Sequence, residues 1–304
     1  MALTDRKEIL NKAAKHWSSV AQRDHSKPLI NRWWLDKRIV SHINKKVCGE
    51  PLLGLSAGFH QRIGEKSPQG GFNHGISIGC GIGSKEFDLV RRGIVNKFDL
   101  FELSDIRVKQ GKQRAKELGI SDKINYYCQD GFLGGRSDLY DIVYWNNSLH
   151  HMLDVDDAIQ KSKSMLVQNG LFAMDDFVGP SRFQWTPTNI AYANNVRNIL
   201  DNRFFELPQG TVETSIDKPT IEEMLQLDPT EAADSENIIP SLNKHFNDLE
   251  ITLTGGVIYH TALNDILSNF TDLDSTLLES LLILDDALTE LNETHYSVAF
   301  AWKV

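Results

Sequence analysis

An α/β fold is predicted, in which a mostly parallel sheet of seven strands carries helices on both faces. Two observations predict it. Short apolar runs suited to buried strands alternate with helical patterns between residues 75 and 175. Polar residues recur where those runs end, the edge at which open parallel sheets bind ligands.

The first run, Gly75-Ile76-Ser77-Ile78, leads straight into Gly79-Cys80-Gly81-Ile82-Gly83. These glycines alternate, whereas a dinucleotide-binding turn places its third glycine three residues after the second. Small residues here let the backbone pass close beneath a ligand, and a helix starting near Ser84 points free N–H groups toward it. The second strand spans 97–102 and ends in Glu102, about 20 residues past the glycines, where a carboxylate can accept both hydroxyls of a ribose. A helix capped at Ser104 stops at Gly119. The third strand, 124–128, is followed by Gln129-Asp130-Gly131-Phe132; the fourth is 141–146. Val155, Ala158, Ile159, Ser162, Met165 and Leu166 then fall at helical spacing, and Asn169-Gly170 ends that helix before a fifth strand over 171–175.

The flanking segments are additions to this core. Residues 4–48 read as helical and aromatic, with Trp17, Trp33 and Trp34 near His16, His25, Arg32 and His42, and residues 64–74 as a polar loop. From 177 to 246 six prolines, at 180, 187, 208, 219, 229 and 240, forbid one long helix. That insertion follows the fifth strand's carboxyl end, so Arg182, Gln184, Trp185, Asn189 and Tyr192 are candidates to face a substrate, with plain surface elaboration as the competing reading. Alternating strands at 249–254 and 296–302 enclose two helical patterns, one at Leu263, Ile266, Leu267 and Phe270, the other from Leu277 to Leu291. Their leucine stripes read as core or as a homodimer interface. The expected parts are a helical cap (1–60), a cofactor-binding core (61–176), a lid (177–246) and a C-terminal completion of the sheet (247–304).

Composition narrows the function. The chain has 304 residues and a formal charge of −9 with both signs interspersed, so no basic stripe offers itself to nucleic acid. Cys48, Cys80 and Cys128 are odd in number and lack metal-ligand spacing, which fits reduced thiols in a cytoplasmic setting and no metal centre. Cys80 reads as a small filler of the turn. The polar start and the lack of an apolar run near 18 residues give neither a secretory signal nor a membrane span.

The glycine turn 79–83, Glu102, Gln129-Asp130 and Asn146-Asn147-Ser148-Leu149-His150-His151 together resemble the class I S-adenosylmethionine-dependent methyltransferases, over about residues 75–176. The last segment is similar to an Asn-x-x-Leu-His-His run in small-molecule members. The resemblance implies a Rossmann-like sheet with an antiparallel strand at its C-terminal edge, and S-adenosyl-L-methionine as cofactor. It implies that Gly79, Gly81 and Gly83 line the methionyl and ribose part, Glu102 holds the ribose, Asp130 meets the adenine amine and Phe132 packs beside the adenine. Cys80, Leu103, Gly131 and Asn146 complete the expected cofactor residues. One departure stands out: the family usually carries an acid two residues before the first glycine, and this chain has Ser77.

Methyl transfer from a sulfonium needs alignment and exclusion of water more than covalent help. An oxygen nucleophile must also lose its proton, and a histidine with an ordinary pKa of about 6.5 suits that task. His151 is the favoured base and His150 the alternative; the competing reading makes both structural. Asp175 and Asp176 read as strand-end acids, either solvated or orienting a histidine. The function expected is methyl transfer to a small-molecule acceptor, at oxygen, with nitrogen or carbon methylation, other S-adenosylmethionine chemistry on the same fold, and a non-catalytic binding module as alternatives.

Overall fold

The seven expected strands join in one sheet in the computed structural model, which describes residues 3–22, 32–133, 136–207 and 210–304. They are β1 (Gly75–Ile78), β2 (Phe98–Phe101), β3 (Ile124–Tyr127), β4 (Tyr140–Asn146), β5 (Leu166–Phe177), β6 (Leu249–Gly255) and β7 (Tyr296–Trp302). Their order is β3-β2-β1-β4-β5-β7-β6. β1, β2 and β4 are almost wholly buried, as expected of parallel strands covered on both faces. The antiparallel strand is β7, which lies between β5 and β6, so β6 forms the edge itself. Register aligns the carboxyl ends: Ile78 stands beside Phe101 and Asn146 beside Asp175. Residues 79, 102 and 147 therefore emerge along one rim.

Period-2 alternation splits the strand side chains between two cores. On one face Leu100, Tyr144, Leu171 and Ala173 pack against Phe59 and Ile63 of α3 (Ala57–Lys66) and Phe87, Leu89 and Val90 of α4 (Ser84–Arg91). On the other, Ile76, Val143, Phe172 and Met174 pack against α6 (Val155–Met165), which shares its core with Ile238, Leu242 and Phe246 of the α9 region (Ile238–His245). A third core joins Trp33, α7 (Pro187–Ile199), residues 257–267 and α10 (Ser275–Glu290) above the strand ends. The remaining helices are α1 (Leu3–Ala21), α2 (Lys37–Cys48), α5 (Asp105–Glu117) and α8 (Ile221–Leu227). Ser104 caps α5, accepting from the Arg107 N–H at 3.3 Å.

Three local expectations change. Residues 64–66 complete α3 instead of opening a loop, with Ile63 buried and fixing that last turn. Asn169, in the left-handed region at φ 61°, makes an irregularity inside β5; the pairing moves from Tyr140–Leu166 to Ile142–Leu171. The pattern around 263–270 is not one helix: a wide turn at Val257–Ala262 is followed by a tight one at Leu267–Asn269. Those residues are buried on nearly all sides, so packing and not a single stripe sets the backbone. His25 and Pro208 lie outside the described residues. No described helix is long and apolar enough to cross a membrane.

Gly83, the N-cap of α4, has φ 81°, and a Cβ there would stand 2.7 Å from the Tyr126 hydroxyl and 2.9 Å from Leu100 Cδ1. Gly83→Ala should destabilise the fold by about 2–4 kcal/mol in urea unfolding, the combined cost of a left-handed L-residue and of overpacking.

Candidate active site

The glycine turn is shaped by β2. Gly79, Gly81 and Gly83 all have positive φ, of 72°, 59° and 81°. The Gly79 and Cys80 N–H groups donate to the Phe101 carbonyl at 2.8 and 3.2 Å, locking the turn to the neighbouring strand. Glu102 then accepts from the Gly81 N–H at 2.9 Å through Oε2 and from the Ser104 N–H at 2.8 Å through Oε1. Each oxygen keeps a second lone pair. Burial raises the Glu102 pKa, and the two N–H donors and Arg107, 4.0 Å away, act against that rise. The Cys80 thiol is pushed well up by burial and by Glu86 and Glu102, which makes it a neutral filler and no nucleophile.

These groups open onto a cavity with about 840 Å³ of space free of protein atoms, its mouth included. Gly79, Glu102, Leu103, Asp130, Gly131 and His151 form part of its wall, with Ile78, Phe101, Asn147, Ser148 and Met152 between them. Cys80, Gly81, Gly83, Phe132, Asn146 and His150 do not border it. Phe132 tilts against Trp145 at 6.1 Å. Asn146 donates to the Ser56 and Tyr144 hydroxyls at 3.0 and 2.9 Å, and its own oxygens accept from Lys85. None of Arg182, Gln184, Trp185, Asn189 and Tyr192 borders the cavity: Gln184 donates to the Pro219 carbonyl, Asn189 to Glu293, and Trp185 stacks on His295.

The expected helical cap supplies one further wall of the cavity, and a loop of the expected lid another. α1 roofs the cavity with Arg6, Leu10, Ala13 and Trp17; Arg6 reaches Asp130 at 3.2 Å, and the Arg107 guanidinium lies 4.3 Å from the Trp17 ring. The aromatic content of that segment was its only signal. The loop after α8 supplies Asp228, Thr230 and Glu231. An Asp-Pro-Thr turn far along the chain carries no mark of its destination.

The histidines differ in environment. His150 is buried, and its Nδ1–H donates to Asp176 Oδ1 at 2.5 Å, while Nε2 stands 3.6 Å from Glu231. Burial lowers the His150 pKa, but the Asp176 charge and hydrogen bond outweigh it and the net shift is upward. His151 lines the cavity edge-on to Trp17 at 5.3 Å, with Nδ1 3.2 Å from the Thr230 hydroxyl. Burial and the neighbouring His150 lower its pKa. Asp176 is no solvated acid: it is fully buried and accepts from the Ser148 and Leu149 N–H groups at 2.9 and 2.7 Å as well as from His150. Asp175 points to the other face, where burial lifts its pKa to about 7 despite Lys85. Asp176→Asn should lower the His150 pKa from its raised position, because burial is then opposed only by Glu231 and Asp228; histidine NMR titration of both forms measures the drop.

Residues 76–174 match the family described as "Methyltransferase domain", and no curated protein matches the chain. Among solved structures, geranyl diphosphate C-methyltransferase from Streptomyces coelicolor A3(2), with Mg2+, geranyl diphosphate and S-adenosyl-L-homocysteine, is 15% identical. It aligns over 97% of this chain and 98% of its own, at a TM-score of 0.54. A geranyl diphosphate methyltransferase with GPP and sinefungin is 14% identical over 82% of this chain and 77% of its own, at 0.50. Phosphoethanolamine N-methyltransferase 2 from Haemonchus contortus, with S-adenosyl-L-methionine, is 13% identical over 90% and 58%, also at 0.50. The sheet order and the positive-φ glycine turn held by Glu102 agree with the fold of these structures and with the methyltransferase-domain match over 76–174.

Proposed function

We propose that the enzyme methylates an oxygen of a compact small molecule, with His151 as the base. The observation that carries this reading is the placement of His151 on the same cavity wall as Gly79, Glu102 and Asp130. Thr230 spends its single hydroxyl proton on Asp228 Oδ1 at 2.7 Å, so its oxygen receives the His151 Nδ1–H. That tautomer leaves the lone pair on Nε2. A lowered pKa keeps the ring neutral near pH 7, as a base requires.

The wall residues suit an adenosyl ligand. Glu102 can accept from ribose hydroxyls with its spare lone pairs, and Ile78, Phe101 and Leu103 offer apolar contact beside it. Asp130 stands where an exocyclic amine can donate to it, sharing its charge with Arg6. Once bound, the cofactor supplies an activated methyl group on a sulfonium. The chain's own work is then alignment and drying: α1 closes the adenosyl side with Trp17, while Met152 and Leu153 narrow the rim near His151. Relatives in fold that hold geranyl diphosphate, itself a small molecule, support a compact acceptor.

A second reading is methylation of nitrogen or carbon: a neutral amine attacks first and releases its proton afterwards, so it needs no base at His151. Accumulation of S-adenosylhomocysteine with an acceptor separates either reading from a silent binding module.

Glu102→Ala should weaken S-adenosylhomocysteine binding by about 1.5–3 kcal/mol in calorimetry, the loss of a charged hydrogen-bond acceptor; unchanged affinity removes Glu102 from the ribose. His151→Ala should lower kcat about 10²- to 10⁴-fold at saturating substrates. In the unaltered enzyme kcat/KM should rise with pH through a midpoint below 6.5, as His151 loses its proton, and that limb should vanish in the variant.

A further inference from the structure

We propose that His150, His151 and Glu231 bind a divalent transition-metal ion of the zinc type at the rim of the cavity. One ring nitrogen from each histidine and one Glu231 oxygen all lie within 4.8 Å of one another. A tetrahedral ion with bonds of about 2.0–2.2 Å needs its donors about 3.3–3.6 Å apart, a closure that small side-chain rotations supply. Two imidazoles and one carboxylate suit Zn2+, Co2+ or Fe2+ better than the oxygen-seeking Mg2+ and Ca2+.

The surroundings are built as metal-binding histidines require. The His150 Nδ1–H is given to Asp176, itself held by the Ser148 and Leu149 N–H groups, so the opposite nitrogen is presented toward Glu231. His151 is held in turn by Thr230, and Thr230 by Asp228. A second, independent observation is Asp228 Oδ2, a buried oxygen without a hydrogen-bond partner among the described residues, 3.9 Å from His151 Nδ1. Three carboxyl groups, Asp176, Asp228 and Glu231, thus bear on the pair. The neighbouring cation is Arg182, whose guanidinium donates to the Glu231 backbone carbonyl. A divalent ion would balance that excess.

Such an ion competes with catalysis. A neutral imidazole has one lone pair, and once it ligates a metal it cannot accept a proton. Occupancy therefore removes His151 as a base and makes zinc an inhibitor. Only this consequence rests on the reading of His151 above; binding itself does not.

The test uses the full chain, stripped with a chelator and titrated with Zn2+ and Co2+. One ion should bind per chain, and Co2+ should show the intense visible bands of a tetrahedral site. Glu231→Gln should weaken Zn2+ about 10-fold or more, and Asp176→Asn, which removes the carboxylate behind His150, about 10- to 100-fold. Circular dichroism, together with unchanged S-adenosylhomocysteine affinity of Glu231→Gln, confirms an intact fold. A spectrum no different from aqueous Co2+ overturns the proposal, as does Zn2+ affinity in Glu231→Gln equal to that of the unaltered chain, which would put the ion elsewhere. Zinc binding without inhibition of methyl transfer would instead overturn His151 as base and leave the site standing.

Discussion

The buried carboxylate of Asp176 is the constraint on which the catalytic rim depends. It ends β5 inside the protein and accepts from the Ser148 N–H, the Leu149 N–H and His150, so one side chain fastens the turn after β4 to the neighbouring strand. Burying an acid is costly, and the charge of His150 together with three backbone donors, Phe177 N–H being the third, holds its pKa below the usual carboxylate range. Removing a partner from such a buried group typically costs about 3–5 kcal/mol. The orientation of both histidines and the position of Ser148 beside Gly79 follow from that attachment.

Asp175 shows how much one residue of register decides. Strand alternation sends it to the opposite face from Asp176, away from His150, and Lys85 does not compensate for burial. Lys85 is itself lowered by burial and donates to the Asn146 carbonyl at 3.0 Å. The two acids therefore act oppositely on stability. Asp175, raised to about 7, favours the folded state while protonated, and that contribution is lost as pH climbs from about 4 to 7. Asp176, lowered, stabilises above the ordinary carboxylate range, and its contribution is lost as pH falls through its folded value.

The departure at Ser77 has a structural answer. Ser77 Oγ donates to Glu86 Oε1 at 2.6 Å, so the first turn of α4 brings a carboxyl group to the place beside the strand end where the family's acid would start. Glu86 is buried with Oε2 unpartnered, and burial raises its pKa. An acid moved from strand to helix keeps the group near the glycine turn while changing the backbone that holds it.

The strands, the glycine turn, Glu102, Asp130 and the histidine pair were legible because each is a local signal: apolar periodicity, positive-φ glycines, or a polar residue where a strand stops. The same signals did not show that Phe132 turns toward Trp145 or that Asn146 is consumed by Ser56, Tyr144 and Lys85. Nor did they show that the insertion contributes through its 228–231 loop and not through its aromatic residues, or that Arg6 of the expected cap reaches Asp130. Hydrophobic pattern and turn residues act over a few positions, and they suffice to set the layered sheet and the edge at which chemistry occurs. Which distant side chains meet at that edge is settled by packing, because Arg6 with Asp130, or His150 with Glu231, are joined across chain separations that no local pattern encodes.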